Sequence, residues 1–466
     1  MITLVKGGIV VAAEGGEHGV LENGIVVFEG NEITHVGETY AGTADVTIEA
    51  SGKLVIPGLI NMHMHVTDTA YTGELLVDHG QHDWRDVLYK YLPAVRGAIS
   101  AEEEFIAAEC AFAELLLSGT TTGVELGFDY EMMEGGDIAH TEQIANIAGN
   151  IGLRCYVGPR YRSLHWGLGD AGEPWYKPYP NRGLSRLEDC FRFCRDFDGR
   201  FDGRIRTMLA PGQVDTCDPE ILERTREAAN EIGVVIQLHA GQSSQEFREI
   251  GRRHKQTTVE YISSTGLLGP DLIIGHGAFL SEDGDVDNCT PSDLEALREA
   301  GTSIAHLPWI HVRQGRFLRS FAKYRRAGIN MCLGTDTFPF DMINEMRWAA
   351  ILCKIAEQDP RAGSAREIFH AATIGGAQAL QRDDLGRLAP GCRADMVIID
   401  LDKPHALPLR DPFKFMVYSA SRADVDTVII DGRTVVSHGE LLFCDLPTVL
   451  DKLRAAITRV HGRVEI

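Results

Sequence analysis

A chain of 466 residues is long for one domain, so a large core with a smaller attached unit is expected. Its composition, 44% apolar and 24% charged, is that of a globular protein, and no run approaches the ~20 apolar residues a membrane helix needs. With 67 acidic against 45 basic side chains the net charge is −22, which argues against nucleic acid or an anionic membrane as a partner.

Residues 1–56 read as short β-branched strands punctuated by glycine, beginning with ITLVKGGIVVAA. They lack the basic start and cleavage site of a secretory signal, so a cytoplasmic location is expected. The ten cysteines contain no CxxC pair and are expected to be reduced thiols. Residues 386–401 and 425–441 share the texture of the opening segment, which suggests one small β-sandwich domain built from 1–56 plus 386–466. Between these ends, over 57–385, eight apolar runs alternate with helical-period segments. They lie at 54–65, 120–127, 153–159, 205–212, 234–241, 272–279, 302–309 and 331–338. Such alternation makes a parallel sheet, and eight repeats close a (β/α)8 barrel of the TIM type. Long insertions at 66–100 and 160–200 follow the first and third runs, on the face where barrels of this kind carry chemistry.

His63 and His65 end the first run, and side chains two apart on a strand share a face. His239, His276, His306 and Asp336 end the fifth, sixth, seventh and eighth runs, so all six project to one barrel mouth. One buried histidine is ordinarily a core residue; this set is a candidate metal centre.

These motifs, PGLINMHMH, QLHAG, IGHGA and LGTDT, resemble those of the amidohydrolase superfamily over essentially the whole chain. AHLP at 305–308, INEMRWAAILCK and the tail GRLAPGCRADMVIIDL are similar to the cytosine deaminase and triazine hydrolase branch. The resemblance implies one divalent metal ion held by His63, His65, His239 and Asp336. A second ion in this superfamily often needs a carboxylated lysine after the fourth strand. No lysine occurs between Lys177 and Lys255, and Glu125 is only a remote substitute. Nitrogen and carboxylate ligands suit zinc, with cobalt, iron and manganese as alternatives. The ion would lower the pKa of a bound water from about 15.7 towards ~7, making hydroxide available. Asp336 is then the expected proton carrier, His276 orients the hydroxide or polarises the substrate, and His306 assists or supports.

Deaminases of this branch usually carry glutamate three residues after the strand-5 histidine, where this chain has Gln242. Glutamine hydrogen-bonds but does not exchange a proton at neutral pH, unless Glu246 has taken over. The expected reaction is therefore cleavage of a C–N or C–S bond in an amide, urea or (thio)carbamate, similar to the phenylurea hydrolases and molinate hydrolase. Triazine or nucleobase deamination or dechlorination is the alternative, and a non-catalytic barrel the reading of another class. Trp84, Trp166, Trp309, Phe338 and Phe340 follow barrel strands and are expected to line an apolar pocket with Gln242 or to pack on the rim. Arg160 and Arg313 leave an anionic substrate open, and His79 and His82 are expected at the surface or against substrate. The expected partner is a small molecule, in a homo-oligomer.

Overall fold

The computed structural model describes residues 1–73, 87–127, 138–178, 182–316 and 321–464; Trp84, His79 and His82 lie outside them. β-branched runs at both ends pair into one sheet. Strands β1 (Ile2–Glu14), β2 (Glu17–Glu29), β3 (Glu32–Gly37), β4 (Val46–Glu49) and β5 (Lys53–Pro57) open the chain. Strands β18 (Met396–Asp400), β19 (Val425–Ile430), β20 (Arg433–Ser437) and β21 (Glu440–Leu441) lie near its end. The order is β21-β20-β19-β18-β5-β1-β2-β3, with β4 on β1, so antiparallel pairing of β18 with β5 joins the two ends. Gly15 and Gly16 turn β1 into β2 at φ 59° and 90°, the two-residue hairpin geometry that favours glycine. Strands from both ends thus form one continuous hydrogen-bonded sheet of nine strands. Val5, Val26, Phe28, Val55, Met396 and Ile429 pack in its apolar cluster.

The middle of the chain supplies two parallel four-stranded arcs. The first joins β6 (Leu59–Met64), β7 (Thr120–Leu126), β8 (Arg154–Gly158) and β12 (Ile205–Thr207). The second joins β14 (Ile236–Ala240), β15 (Leu272–His276), β16 (Ser303–His306) and β17 (Met331–Leu333). Each of the eight expected runs contains one of these strands, although the first is split between β5 and β6. Isolated bridges link the arcs at both seams: Met64 with Asp336, and Leu209 with Ile236 and Gln213 with His239. The strands are buried on both faces, as parallel strands covered by helices are.

Two anchors hold other elements to this core. Arg154 on β8 is buried and donates to Asp395 at 3.0 and 3.1 Å and to Asp431 at 3.1 Å, tying the arc to the terminal sheet. The C-terminal segment is not all β-structure: helix Leu446–His461 packs Ala456 and Val460 against Ile106 and Ala107 of helix Ala101–Leu117. Arg459 and Arg463 reach the buried Glu103 at 3.1 and 2.7 Å. Burial alone would raise that carboxyl, but the hydrogen bonds from Arg463, Ser100 and Arg459 hold it down at about 2.

Beyond β8, the short β9 (Arg160–Tyr161) pairs in parallel with β13 (Ala210–Pro211), and the insertion continues as a hairpin of β10 (Leu164–Leu168) and β11 (Pro174–Pro178), followed by helix Arg182–Phe197. All ten cysteines are unpaired. No helix of the described residues is long and apolar enough to cross a membrane.

Candidate active site

Period-two alternation in β6 turns His63 and His65 to one side, and the seam with the β17 end brings Asp336 to them. His65 N–H donates to Asp336 O at 2.8 Å and Asp336 N–H to His63 O at 2.9 Å. Asn61 closes the same seam, donating to Thr335 Oγ1 at 2.8 Å while its Oδ1 accepts Thr335 N–H at 3.1 Å. Asp336 lies three residues beyond β17, at φ 62°, and His276 ends β15 at φ 77°. Left-handed backbone at two non-glycine residues is costly, and such strain concentrates at functional sites.

Three rings have one nitrogen committed to a carbonyl-type oxygen. His63 Nδ1 faces Gln237 Oε1 at 3.0 Å, His65 Nδ1 faces Leu126 O at 2.9 Å, and His239 Nδ1 faces Gly212 O at 2.7 Å. These oxygens only accept, so each Nδ1 carries the proton and each Nε2 lone pair points to the centre. Burial, foremost, pushes His65, His239 and His276 well below the usual histidine range, which keeps them neutral. Burial would raise the Asp336 carboxyl, but the imidazoles of His63 and His276 beside it and the Arg313 guanidinium hold it at about 2.

The candidate ligand atoms converge. His65 Nε2 lies 3.1 Å from His239 Nε2, and Asp336 Oδ1 lies 3.4 Å from His65 Nε2 and 3.6 Å from His63 Nε2. Ligands placed ~2.0–2.1 Å from a tetrahedral zinc ion sit about 3.3 Å apart. The buried His63 Nε2 has no hydrogen-bond partner among the described residues. Orphaned lone pairs, neutral imidazoles and an ionised carboxylate fit a divalent metal. His63, His65 and Asp336 form one ligand-compatible group, and His63, His239 and His276 another. His276 therefore belongs to a ligand-compatible group itself, and both its ring nitrogens lack hydrogen-bond partners among the described residues. Glu125 belongs to neither group and uses Oε2 to accept Val66 N–H at 3.0 Å.

His306 ends β16, buried, with its ring 5.8 Å from Phe321; burial, helped by His311, lowers its pKa to about 3. Between it and the centre sequence reasoning missed His311, whose ring lies 5.4 Å from His276. Its signal was a second histidine one helical turn past AHLP. Gln237 and Asn61, both buried behind the histidines, were missed too, because strand residues of that kind read as ordinary core positions.

A cavity opens beside His65, His239 and Asp336. Gln242, Gln213, Arg160, Arg162 and Trp166 contribute to its wall. Glu246 does not: its Oε1 accepts Gly241 N–H at 2.6 Å and its Oε2 accepts Gln242 N–H at 3.2 Å and Gln213 Nε2–H at 3.3 Å. It clamps the turn that carries Gln242. Trp309 and Phe338 also lie outside the lining: Trp309 packs on Trp348 at 5.4 Å, and Phe338 sits against Gly73 and under Arg313 at 5.3 Å. Phe340 is buried in the main core. Arg313 secures the segment after Asp336 by donating to Phe338 O at 3.2 Å and to Thr337 Oγ1.

The model of the Amidohydrolase family matches residues 54–435. The 5'-deoxyadenosine deaminase of Methanothermobacter thermautotrophicus is 30% identical over 95% of this chain and 96% of its own length. The 5-methylthioadenosine/S-adenosylhomocysteine deaminase of Thermococcus sibiricus is 29% identical over 94% of each chain. Among solved structures, a zinc-bound adenosine deaminase from Xanthomonas campestris superposes with a TM-score of 0.83 at 25% identity, covering 99% of this chain and 98% of that one. A triazine hydrolase from Arthrobacter aurescens shares the fold at 0.83 and 21% identity, covering 98% and 99%. With the converging metal-type ligands intact, a non-catalytic reading falls away, and the chain belongs to the amidohydrolase family as a metal-dependent hydrolase acting on carbon–nitrogen bonds.

Proposed function

We propose that this hydrolase opens the C–N bond, or the C–S bond of a thio analogue, of an amide, urea or carbamate small molecule. One zinc ion would be held by His63, His65, His239 and Asp336 at the mouth of a closed (β/α)8 barrel spanning 57–385, with 1–56 and 386–466 as the smaller domain. A cytoplasmic, homo-oligomeric protein goes with this reading. The observation that carries it is the pairing of Gln242 in the cavity wall with Glu246 turned away onto backbone N–H groups. Neither side chain is placed to shuttle a proton to a ring nitrogen.

When bound, a zinc ion lowers the pKa of its water from 15.7 to about 7. Asp336, ionised and fixed by the seam, takes a proton from the attacking water and delivers it to the departing nitrogen. The new C–O bond forms as the C–N bond breaks, and the nitrogen leaves as a neutral amine. Neutral His276 offers an N–H to the oxygen on which negative charge develops. Gln242 and Gln213 supply amide groups that can orient the scissile unit.

Deamination of an adenosine-like or triazine ring is a second reading, favoured by the names of the relatives at about 30% identity. Product analysis separates the two. Incubation with aryl ureas, thiocarbamates, aminotriazines and adenosine analogues is expected to release a substituted amine or thiol; dominant ammonia release from a ring substrate would overturn the preferred chemistry.

A further inference from the structure

Trp166 is the one Trp, Tyr or Phe side chain among the described residues that lines the cavity beside His65, His239 and Asp336. It is only half-buried, yet it packs against the apolar interior cluster. Its setting is over-determined. On the β10–β11 hairpin it pairs across the strands with Tyr176, ring centroids 6.4 Å apart at 83°. Tyr89 meets it at 5.1 Å and 83°, and the Arg162 guanidinium stands 5.9 Å from its ring. Tyr176 is itself anchored, donating to the buried Asp215 Oδ2 at 2.6 Å, within 3.3 Å of the Tyr89 hydroxyl and beneath Arg253 at 4.9 Å.

A rotamer-rich side chain that merely covered the rim would need no such bracing. A large flat surface pre-set at a reaction centre binds flat ligands, because stacking gains its energy without an ordering cost.

We propose that Trp166 is a specificity-determining residue which stacks a planar aromatic or heteroaromatic ring of the substrate, with Tyr176 and Asp215 as the residues that position it. This rests on the reaction proposed above, naming the substrate class as aryl or heteroaryl compounds whose scissile bond lies next to the ring. An aliphatic urea of equal length would occupy the same centre without that support.

Two measurements test it separately from the reaction. The first is kcat/KM for N-phenylurea and N-butylurea in wild type, Trp166→Ala, Trp166→Phe and Tyr176→Phe. Trp166→Ala is expected to cut the phenyl-to-butyl ratio about 10–100-fold, the scale set by base–aromatic stacking, chiefly through KM. Trp166→Phe should recover part of the ratio, and Tyr176→Phe should raise KM for phenylurea with little change in kcat. An unchanged ratio in Trp166→Ala overturns the proposal.

The second is quenching of tryptophan emission by N-phenylurea and by adenosine in His239→Ala protein, which needs no turnover. Saturable quenching that disappears in Trp166→Phe/His239→Ala supports stacking even if no urea is hydrolysed. Quenching by neither ring, or quenching that survives loss of Trp166, overturns it.

Discussion

His65 Nε2 and His239 Nε2 face each other at 3.1 Å while the Nδ1 of each ring is engaged by a backbone carbonyl, Leu126 O for one and Gly212 O for the other. Two lone pairs so placed repel, and a divalent cation between them removes the repulsion. Chelator-treated protein is therefore expected to unfold at lower temperature, and zinc at 1,000 times its Kd to restore about 4 kcal/mol. Differential scanning calorimetry with and without added zinc checks this; an unfolding temperature indifferent to metal contradicts it.

Gln237 orients His63 from behind, its Oε1 accepting at 3.0 Å while its Nε2–H is tied to Met62 O at 2.6 Å. Replacing it by leucine leaves the four proposed ligands in place but frees the His63 tautomer. Metal affinity is expected to fall about 10–100-fold, read by competition with a chromogenic chelator. Equal affinity in Gln237→Leu would show that the ring is held by packing alone.

Burial, followed by the nearby Asp215 charge, raises the Glu246 carboxyl to about 8. Because its folded pKa exceeds the unfolded value near 4.5, the folded state binds the extra proton between those limits. This contribution to stability is complete below about 4.5 and is lost as pH rises through about 8. Urea denaturation at pH 5 and pH 8.5 should show a smaller decline in Glu246→Gln than in the parent. The variant is also expected to lose roughly 1–3 kcal/mol at pH 5, since one clamp oxygen on the Gln242 turn is gone.

Arg154 joins Asp395 and Asp431 where the barrel arc meets the terminal sheet. Arg154→Met leaves two buried carboxylates short of a partner and is expected to cost about 3–5 kcal/mol in denaturation experiments. Metal content per folded chain should be unchanged, and a loss of metal instead would show that this anchor shapes the centre.

What was legible in the sequence follows from simple periodicities. Strand alternation put His63 and His65 on one side, and the rule that chemistry sits at strand ends gathered His239, His276 and Asp336. The arcs were readable because apolar β-branched runs alternated with helical segments. What escaped depends on which way a loop turns. Of the aromatics expected to line the pocket, Phe338 follows Asp336 by two residues yet folds onto Gly73, while Trp166 on a distant hairpin does reach the cavity. Glu246 stands one helical turn past Gln242, a spacing that suits a proton carrier. At the start of helix Ser244–His254, however, its carboxyl oxygens accept the exposed N–H groups of Gly241 and Gln242. Shared strand-like texture pointed to one domain from both chain ends, but not to the register of β5 against β18 that joins them.

Zinc titration of metal-free protein, with turnover of an aryl urea followed at each addition, tests the centre most directly. Activity is expected to rise linearly and stop at one equivalent per chain in the parent, and to stay absent in Asp336→Asn. Turnover that persists without metal, needs two equivalents, or survives Asp336→Asn would contradict a single-ion site at His63, His65, His239 and Asp336.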